Sequence, residues 1–394
     1  MKPLFVQWGG GNIGRSFIAQ VFSRAGFRIV IIDINQKLVD ALNHEGSYTI
    51  EAVFDESVAT LLIDDVSAIH ASDQDGINKA VGDASFLGVS VGRSAWPHIA
   101  PSLAEAISYR YVLHPDNQLD ILLAENIHGC REYAKALLQP YLNSLVLLDE
   151  YVGLAETSIG KMVPIQDPSK FLTLRSEPYN ELILDATAFH HPLPPSADIH
   201  PVQPIAAYVD RKLFIHNMGH SATAYLGFAL HPDRRTIAEV LQDTLVRTEV
   251  QKAMYQSRDV LLALHPGVFV QSALDDYIHD LLGRFSNHAL RDTVHRVGRD
   301  LKRKLRFDDR LLGIIIEAEK LGLKWDSIGR AYILGLAFDA PDEAGNPYPE
   351  DIVFLQSLSK LSWIEKIYHA ASWNESSLDK ELIKKIAGKL KLLQ

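Results

Sequence analysis

The stretch "LFVQWGGGNIGRSFIAQVFSRAGFRIVIIDIN" constrains this chain more than any other. Gly9, Gly11 and Gly14 stand in G-x-G-x-x-G spacing directly after an apolar run, Leu4–Trp8. The residues that follow, Ile13–Ala25, carry the period of an amphipathic helix, and Arg28–Ile32 is a second apolar run. Strand, glycine turn, helix and parallel strand make one βαβ unit. In such a unit the first glycine permits the tight turn, the second lets backbone approach a pyrophosphate, and the third lets the helix lie close on the sheet. The helix start, with Asn12 and Ile13 between the glycines, faces the phosphates with unpaired N–H groups and the positive end of its dipole. Asp33 ends the second run nineteen residues beyond Gly14, where a carboxylate can accept from the ribose hydroxyls of an adenosine. It would repel a 2′-phosphate, and no arginine follows it in "DINQK", so the pattern predicts NAD rather than NADP.

The alternation continues, with strands expected at Ala84–Val89, Asp120–Ala124 and Leu145–Asp149. The expected fold is α/β at the N-terminus, a doubly wound, mostly parallel Rossmann sheet. A chain of 394 residues exceeds one hydrophobic core. Between His190 and Pro204, "HHPLPPSADIHPVQP" holds five prolines and no helical period, so it reads as a loop or connection, with His190 and His191 in a surface turn. Beyond about residue 205 the pattern turns helical, as in "TIAEVLQDTLVRTEVQKAMYQS" and "LLGIIIEAEKLGL". The reading is a Rossmann domain over 1–190 and a mainly α-helical domain for substrate and catalysis over 191–394, with the active site in the cleft between them.

A net charge of −10 argues against nucleic acid or an anionic membrane as partner. One cysteine, Cys130, excludes an internal disulfide and a cysteine-based zinc cluster, and the sixteen histidines show no metal-ligand spacing. No apolar run reaches the ~18 residues of a membrane span, and no secretory segment opens the chain. A cytoplasmic protein is expected, a monomer or weak homo-oligomer acting on a small molecule.

The second informative stretch is "DRKLFIHNMGHSATAYLG". On an α-helix at ~100° per residue, Lys212, His220 and Asn217 project at roughly 0°, 80° and 140°, within one sector. Each has an ordinary structural role open to it: a snorkelling lysine, a capping asparagine, a hydrogen-bonded core histidine. Together, beside a nicotinamide, they can do alcohol chemistry. A lysine desolvated near a positive ring loses its proton readily and can accept one from a hydroxyl, while an amide and an imidazole hold the oxygen.

The chain also resembles a known family, the polyol-specific long-chain dehydrogenases, over nearly its whole length. The resemblance rests on "GGGNIGRSFI", "IDINQKLVDALN", "VGRSAWPHIAP", "AENIHG", "VGLAETSIGKMVP", "RKLFIHNMGHSATAYLG" and "GRFSNHALRDTVHRVGRD". In that family K-x4-N-x2-H is the catalytic signature. The resemblance implies Lys212 as general base, Asn217 and His220 positioning the reacting oxygen, and Asn126 as a second amide. It implies NAD-dependent, metal-independent oxidation of a linear polyol or its phosphate, mannitol 1-phosphate giving fructose 6-phosphate being the leading pair. Hexuronate reduction, oxidation of unphosphorylated mannitol and a silent NAD sensor are the alternatives. The sequence departs from the family at Gly160 and Lys161, where an Asp-Arg pair is usual, and at His288, where "FxNP" becomes "FSNH". An anionic substrate would want cations; Arg296 and Arg211 lead, followed by Arg291 and Arg299. Asp210 could tune the lysine or serve as a first-turn acid, and His128 could face the site or cap a helix.

Overall fold

The computed structural model describes every residue except 1, 128 and 168. The chain divides into two compact units, one running to Val209 and the other Asp210–Gln394.

Among the described residues, the first unit holds β1 (Leu4–Trp8), β2 (Arg28–Asp33), β3 (Tyr48–Val53), β4 (Val58–Ile63), β5 (Val66–His70), β6 (Phe86–Val89), β7 (Leu119–Leu123), β8 (Val152–Ser158), β9 (Thr173–Ser176), β10 (Leu182–Asp185) and β11 (Ile199–Val202). The main sheet runs β5-β2-β1-β6-β7-β8-β10-β11, and β4-β3-β9 form a side sheet. From β5 to β8 every pairing is parallel; β10 then runs antiparallel to β8. The order reverses at β1, with β2 on one side and β6 on the other, which is the switch point where such sheets bind ligands. Both faces are buried, as a parallel sheet requires. Leu4, Val6, Trp8, Val30 and Ile32 join one core, against helices Gln74–Asp83, Trp96–Leu113 and Cys130–Leu138. Phe5, Ile29 and Ile31 join the other, with Phe17, Val21 and Phe22 of the first helix and Leu38, Val39 and Leu42 of the second.

Two expectations change. Leu145–Asp149 is no strand: its leucines 145 and 147 are exposed, Leu148–Tyr151 makes one helical turn, and the strand begins at Val152. The boundary also moves past residue 190. Ile199–Val202, inside the proline-rich segment, pairs with β10 as the sheet's edge, where Pro201 needs no second ladder partner. Residues 191–209 therefore belong to the first unit. The histidine pair there is anchored. Asp120, fully buried, accepts the backbone N–H groups of His190 and His191 and His191 Nδ1, each at 2.9 Å.

The second unit is helical. Helix Met218–Leu230 is buried nearly all round and packs against Thr244–Leu264, Val294–Gly298 and Asp326–Gly335. No helix among the described residues is long and apolar enough to cross a membrane.

Candidate active site

In the first unit the glycine turn follows β1 at the switch point. Gly9 has φ +93°, and a Cβ there would sit 2.5 Å from the Ser90 carbonyl oxygen. A Cβ on Gly14 would lie 2.0 Å from the Gly9 carbonyl, whereas one on Gly11 would meet nothing within 4 Å. The turn is thus closed on the sheet side and open at Gly11, the shape a pyrophosphate needs. The helix is helical from Asn12 and π-helical over Gly14–Ala19 before α-helical Gln20–Arg24. Asp33 braces the turn: Oδ2 accepts Gly10 N–H at 2.7 Å and Oδ1 accepts Asn35 N–H at 2.8 Å. Each oxygen retains a second lone pair, so the carboxylate still fits a ribose hydroxyl. Arg15 went unnoticed in the sequence although it lies inside the motif; its Nε donates to the Gly10 carbonyl at 2.6 Å and its Nη1 to that of Phe171. Gly14→Ala should therefore push the turn apart and weaken NADH binding by at least about tenfold, read by fluorescence titration, with the melting temperature of the second unit unchanged.

Asn126 is exposed in the loop after β7. Its neighbour Glu125, also missed, is buried and clamps the loop after β6, accepting Val91 N–H at 2.8 Å, Gly92 N–H at 3.0 Å and Trp96 Nε1–H at 3.1 Å. Burial pushes its carboxyl above the usual range against these donors. His128 lies outside the described residues. A Cβ on Gly160 would meet the Tyr179 ring at 3.5 Å, and Lys161 Nζ donates to Asn180 Oδ1 at 2.5 Å.

In the second unit, Lys212–Asn217 is π-helical between α-helices Ile205–Arg211 and Met218–Leu230. The i→i+5 pairing of a π segment brings residue 217 over residue 212, so Lys212 and Asn217 share a face more closely than on a uniform α-helix. His220 follows one turn on. Phe214, Ile215 and His216 are buried behind them. Lys212 is half-buried. Burial first, then the charges of Arg310 and Arg303 against the opposing Asp309, bring its pKa down to about 7. Arg310, itself buried, is oriented by Asp309 at 2.8 Å and reaches Ser221 Oγ at 3.4 Å. His216 is held well below its ordinary pKa, by burial and then by Arg284, His220, Lys212 and Arg310, so its ring is neutral.

The remaining candidates are engaged as follows. Asp210 accepts from His265 Nε2 at 2.8 Å. Arg211 stacks over Tyr277 at 4.2 Å and lies 5.9 Å from the centre of the Phe269 ring. Arg296 pairs with Asp292, Nε to Oδ1 at 2.8 Å. Arg291 and Arg299 are exposed, Arg299 over the Tyr348 ring at 5.2 Å. His288 Nε2 meets Gln242 Nε2 at 3.3 Å. Asp292, Phe285 and Arg310 were not singled out in the sequence, although Phe285 opens the "FSNH" stretch and Asp292 stands between arginines read as substrate contacts. Among the described residues no group of three His, Cys, Asp or Glu side chains could hold a metal ion.

Comparison with known proteins covers both units. The mannitol dehydrogenase Rossmann domain matches residues 4–196 and the mannitol dehydrogenase C-terminal domain matches 204–393. The chain is 30% identical over 390 residues to mannitol-1-phosphate 5-dehydrogenase of Brevibacillus brevis, covering 98% of each chain. It is 29% identical over 340 residues to a protein of the same name from Streptococcus pneumoniae, covering 86% of this chain and 88% of that one. Among solved structures, Pseudomonas fluorescens mannitol 2-dehydrogenase in complex with NAD and D-mannitol aligns with a TM-score of 0.70 at 16% identity, over 99% of this chain and 94% of that one. A D-sorbitol dehydrogenase aligns with 0.75 at 15% identity, over 100% and 93%.

Proposed function

The chain belongs to the mannitol dehydrogenase family, and on that premise we propose that it is an NAD-dependent polyol dehydrogenase, interconverting mannitol 1-phosphate and fructose 6-phosphate with Lys212 as base and no metal ion. The observation that carries the reading is a half-buried lysine of pKa about 7 sharing a π-helical face with an amide, in a chain that also carries the glycine turn and Asp33. NAD, when bound, supplies the hydride acceptor. The backbone around Gly9, Gly11, Asn12, Ile13 and Gly14 would hold its pyrophosphate, and Asp33 its ribose.

The remaining work falls to side chains of this chain. Near neutral pH a large fraction of Lys212 is unprotonated, so Nζ can take the proton of a substrate hydroxyl. The Asn217 amide donates to the oxygen as negative charge develops on it, and His220 fixes its direction. Asn126 is proposed as a further amide donor, at the carboxyl end of β7 where sheets of this order bind ligands. Arg296 and Arg211 are the cations proposed for the anionic end of the substrate.

The testing assay follows NADH oxidation with fructose 6-phosphate, fructose, fructuronate and tagaturonate, with EDTA present throughout. Turnover with fructose 6-phosphate well above the other three is expected. Activity confined to a hexuronate or to fructose would keep Lys212 and move the substrate. Tight NADH binding with no turnover on any of them would count against an enzyme.

A further inference from the structure

His220 is gripped from two sides. Its ring lies face to face with Phe285, centroids 4.7 Å apart and planes 11° from parallel. Its Nε2 is sealed from solvent 3.0 Å from Asp292 Oδ2. The pair is off the ideal hydrogen-bond line, yet neither atom has another partner. Asp292 is 7% exposed, and its other oxygen takes Arg296 through Nε at 2.8 Å and Nη2 at 2.5 Å. Its backbone is fixed too: the carbonyl accepts Ile237 N–H at 2.9 Å. Burial pushes the Asp292 carboxyl up, but His220 and Arg296 more than offset this and it stays below its usual range, ionised. An ionised carboxylate only accepts, so the proton of a neutral His220 belongs on Nε2 and the lone pair on Nδ1.

We propose that Asp292 is the positioning residue for His220: it holds the ring as the Nε2–H tautomer, so that Nδ1 is the nitrogen that accepts a hydrogen bond from the polyol hydroxyl next to the one whose proton Lys212 takes. The inference rests on the function proposed above and deepens it. Arg296 enforces the arrangement, because a guanidinium only donates and so commits Oδ1. The aspartate thereby links a residue of the catalytic helix to a segment about seventy residues further along the chain.

Asp292→Asn tests this with almost no change of shape. Arg296 will claim the amide oxygen, leaving the NH2 to donate to Nε2, which moves the ring proton to Nδ1. The same tautomer error costs a serine-protease triad most of its rate with its geometry intact. The expected result is near-normal melting and NADH affinity, with kcat for polyol oxidation down at least about tenfold and KM changed less. Nitrogen NMR of the histidine rings in the substrate-free protein should show Nε2–H replaced by Nδ1–H at His220. In a His220→Ala background, Asp292→Asn should cost no further activity. An unchanged tautomer, or losses that add in the double variant, would overturn the proposal. If Asp292→Asn does not fold, Arg296→Met keeps the carboxylate and must keep Nε2–H; a shift to Nδ1–H there would also overturn it. Should the wild type turn over no polyol, the proposed function fails, while the NMR result still decides the tautomer.

Discussion

Lys212→Met should lower turnover in polyol oxidation by about 10²–10⁴-fold, the usual contribution of a positioned general base. Methionine nearly matches the lysine stem in volume, so the helix should keep its packing. NADH affinity should stay within about twofold, because the nucleotide is assigned to the glycine turn and Asp33. Turnover within tenfold of wild type would remove the lysine from the mechanism.

The acid limb gives a second reading of the same residue. With a pKa of about 7, Nζ is protonated below neutrality and cannot accept a proton. Oxidation should therefore fall about tenfold per pH unit below pH 7 and level off above it. Ketose reduction needs the protonated amine and should show the opposite limb. Both limbs should flatten in Lys212→Met. Stability must follow the sign of the shift. In the unfolded chain the amine keeps its ordinary, higher pKa, so between about pH 7 and that value the unfolded state binds more protons. Stability from this group rises with pH across the window, and below pH 7 the half-buried charge weighs fully against the fold. Lys212→Met should then melt higher than wild type at pH 6, with the gap closing above pH 10. A residue that costs stability where it sits is what a working base looks like.

Much of the first unit was legible because its signals are local. Gly9, Gly11 and Gly14 sit between two apolar runs, and β1, β2 and the intervening helix appear within a residue or two of their expected bounds. Local signals also misled. The leucines at 145 and 147 look like a strand, yet they are exposed. β11 was hidden by Pro201 and its neighbours, since a proline excludes only a central strand position and this is an edge. The K-x4-N-x2-H spacing was readable, but its phase was not, because nothing local announces that 212–217 will widen to i→i+5 pairing. What tunes the site was least legible. Arg310 lies nearly a hundred residues from Lys212 and Asp292 some seventy from His220, and a sequence carries no distance between them.

Arg110→Met should destabilise the first unit by about 3–5 kcal/mol, the loss of several charge-assisted hydrogen bonds from a buried cation. Arg110 is 2% exposed, on helix Trp96–Leu113. Its Nη1 donates to the carbonyls of Val81 and Gly82 at 2.9 Å and Ala84 at 2.7 Å, its Nη2 to Gln118 at 3.1 Å and its Nε to Asn117 at 3.3 Å. Val81 and Gly82 are in the last turn of Gln74–Asp83, where carbonyls have no partner within the helix and the dipole is negative. One guanidinium thus closes that helix and fixes the turn leading into β7, whose far end carries Glu125 and Asn126. Methionine fills the space of the stem but removes a donor from five carbonyls, of which Val81's keeps only the Ala84 N–H at 3.4 Å. For a unit of this size the loss corresponds to a melting midpoint lower by roughly 10 °C. Arg110→Lys should fall between, because a single ammonium can serve the helix end or the turn before β7 but lacks the fork to reach both. A midpoint within a degree of wild type for Arg110→Met would mean that other donors, water among them, replace the guanidinium at these carbonyls.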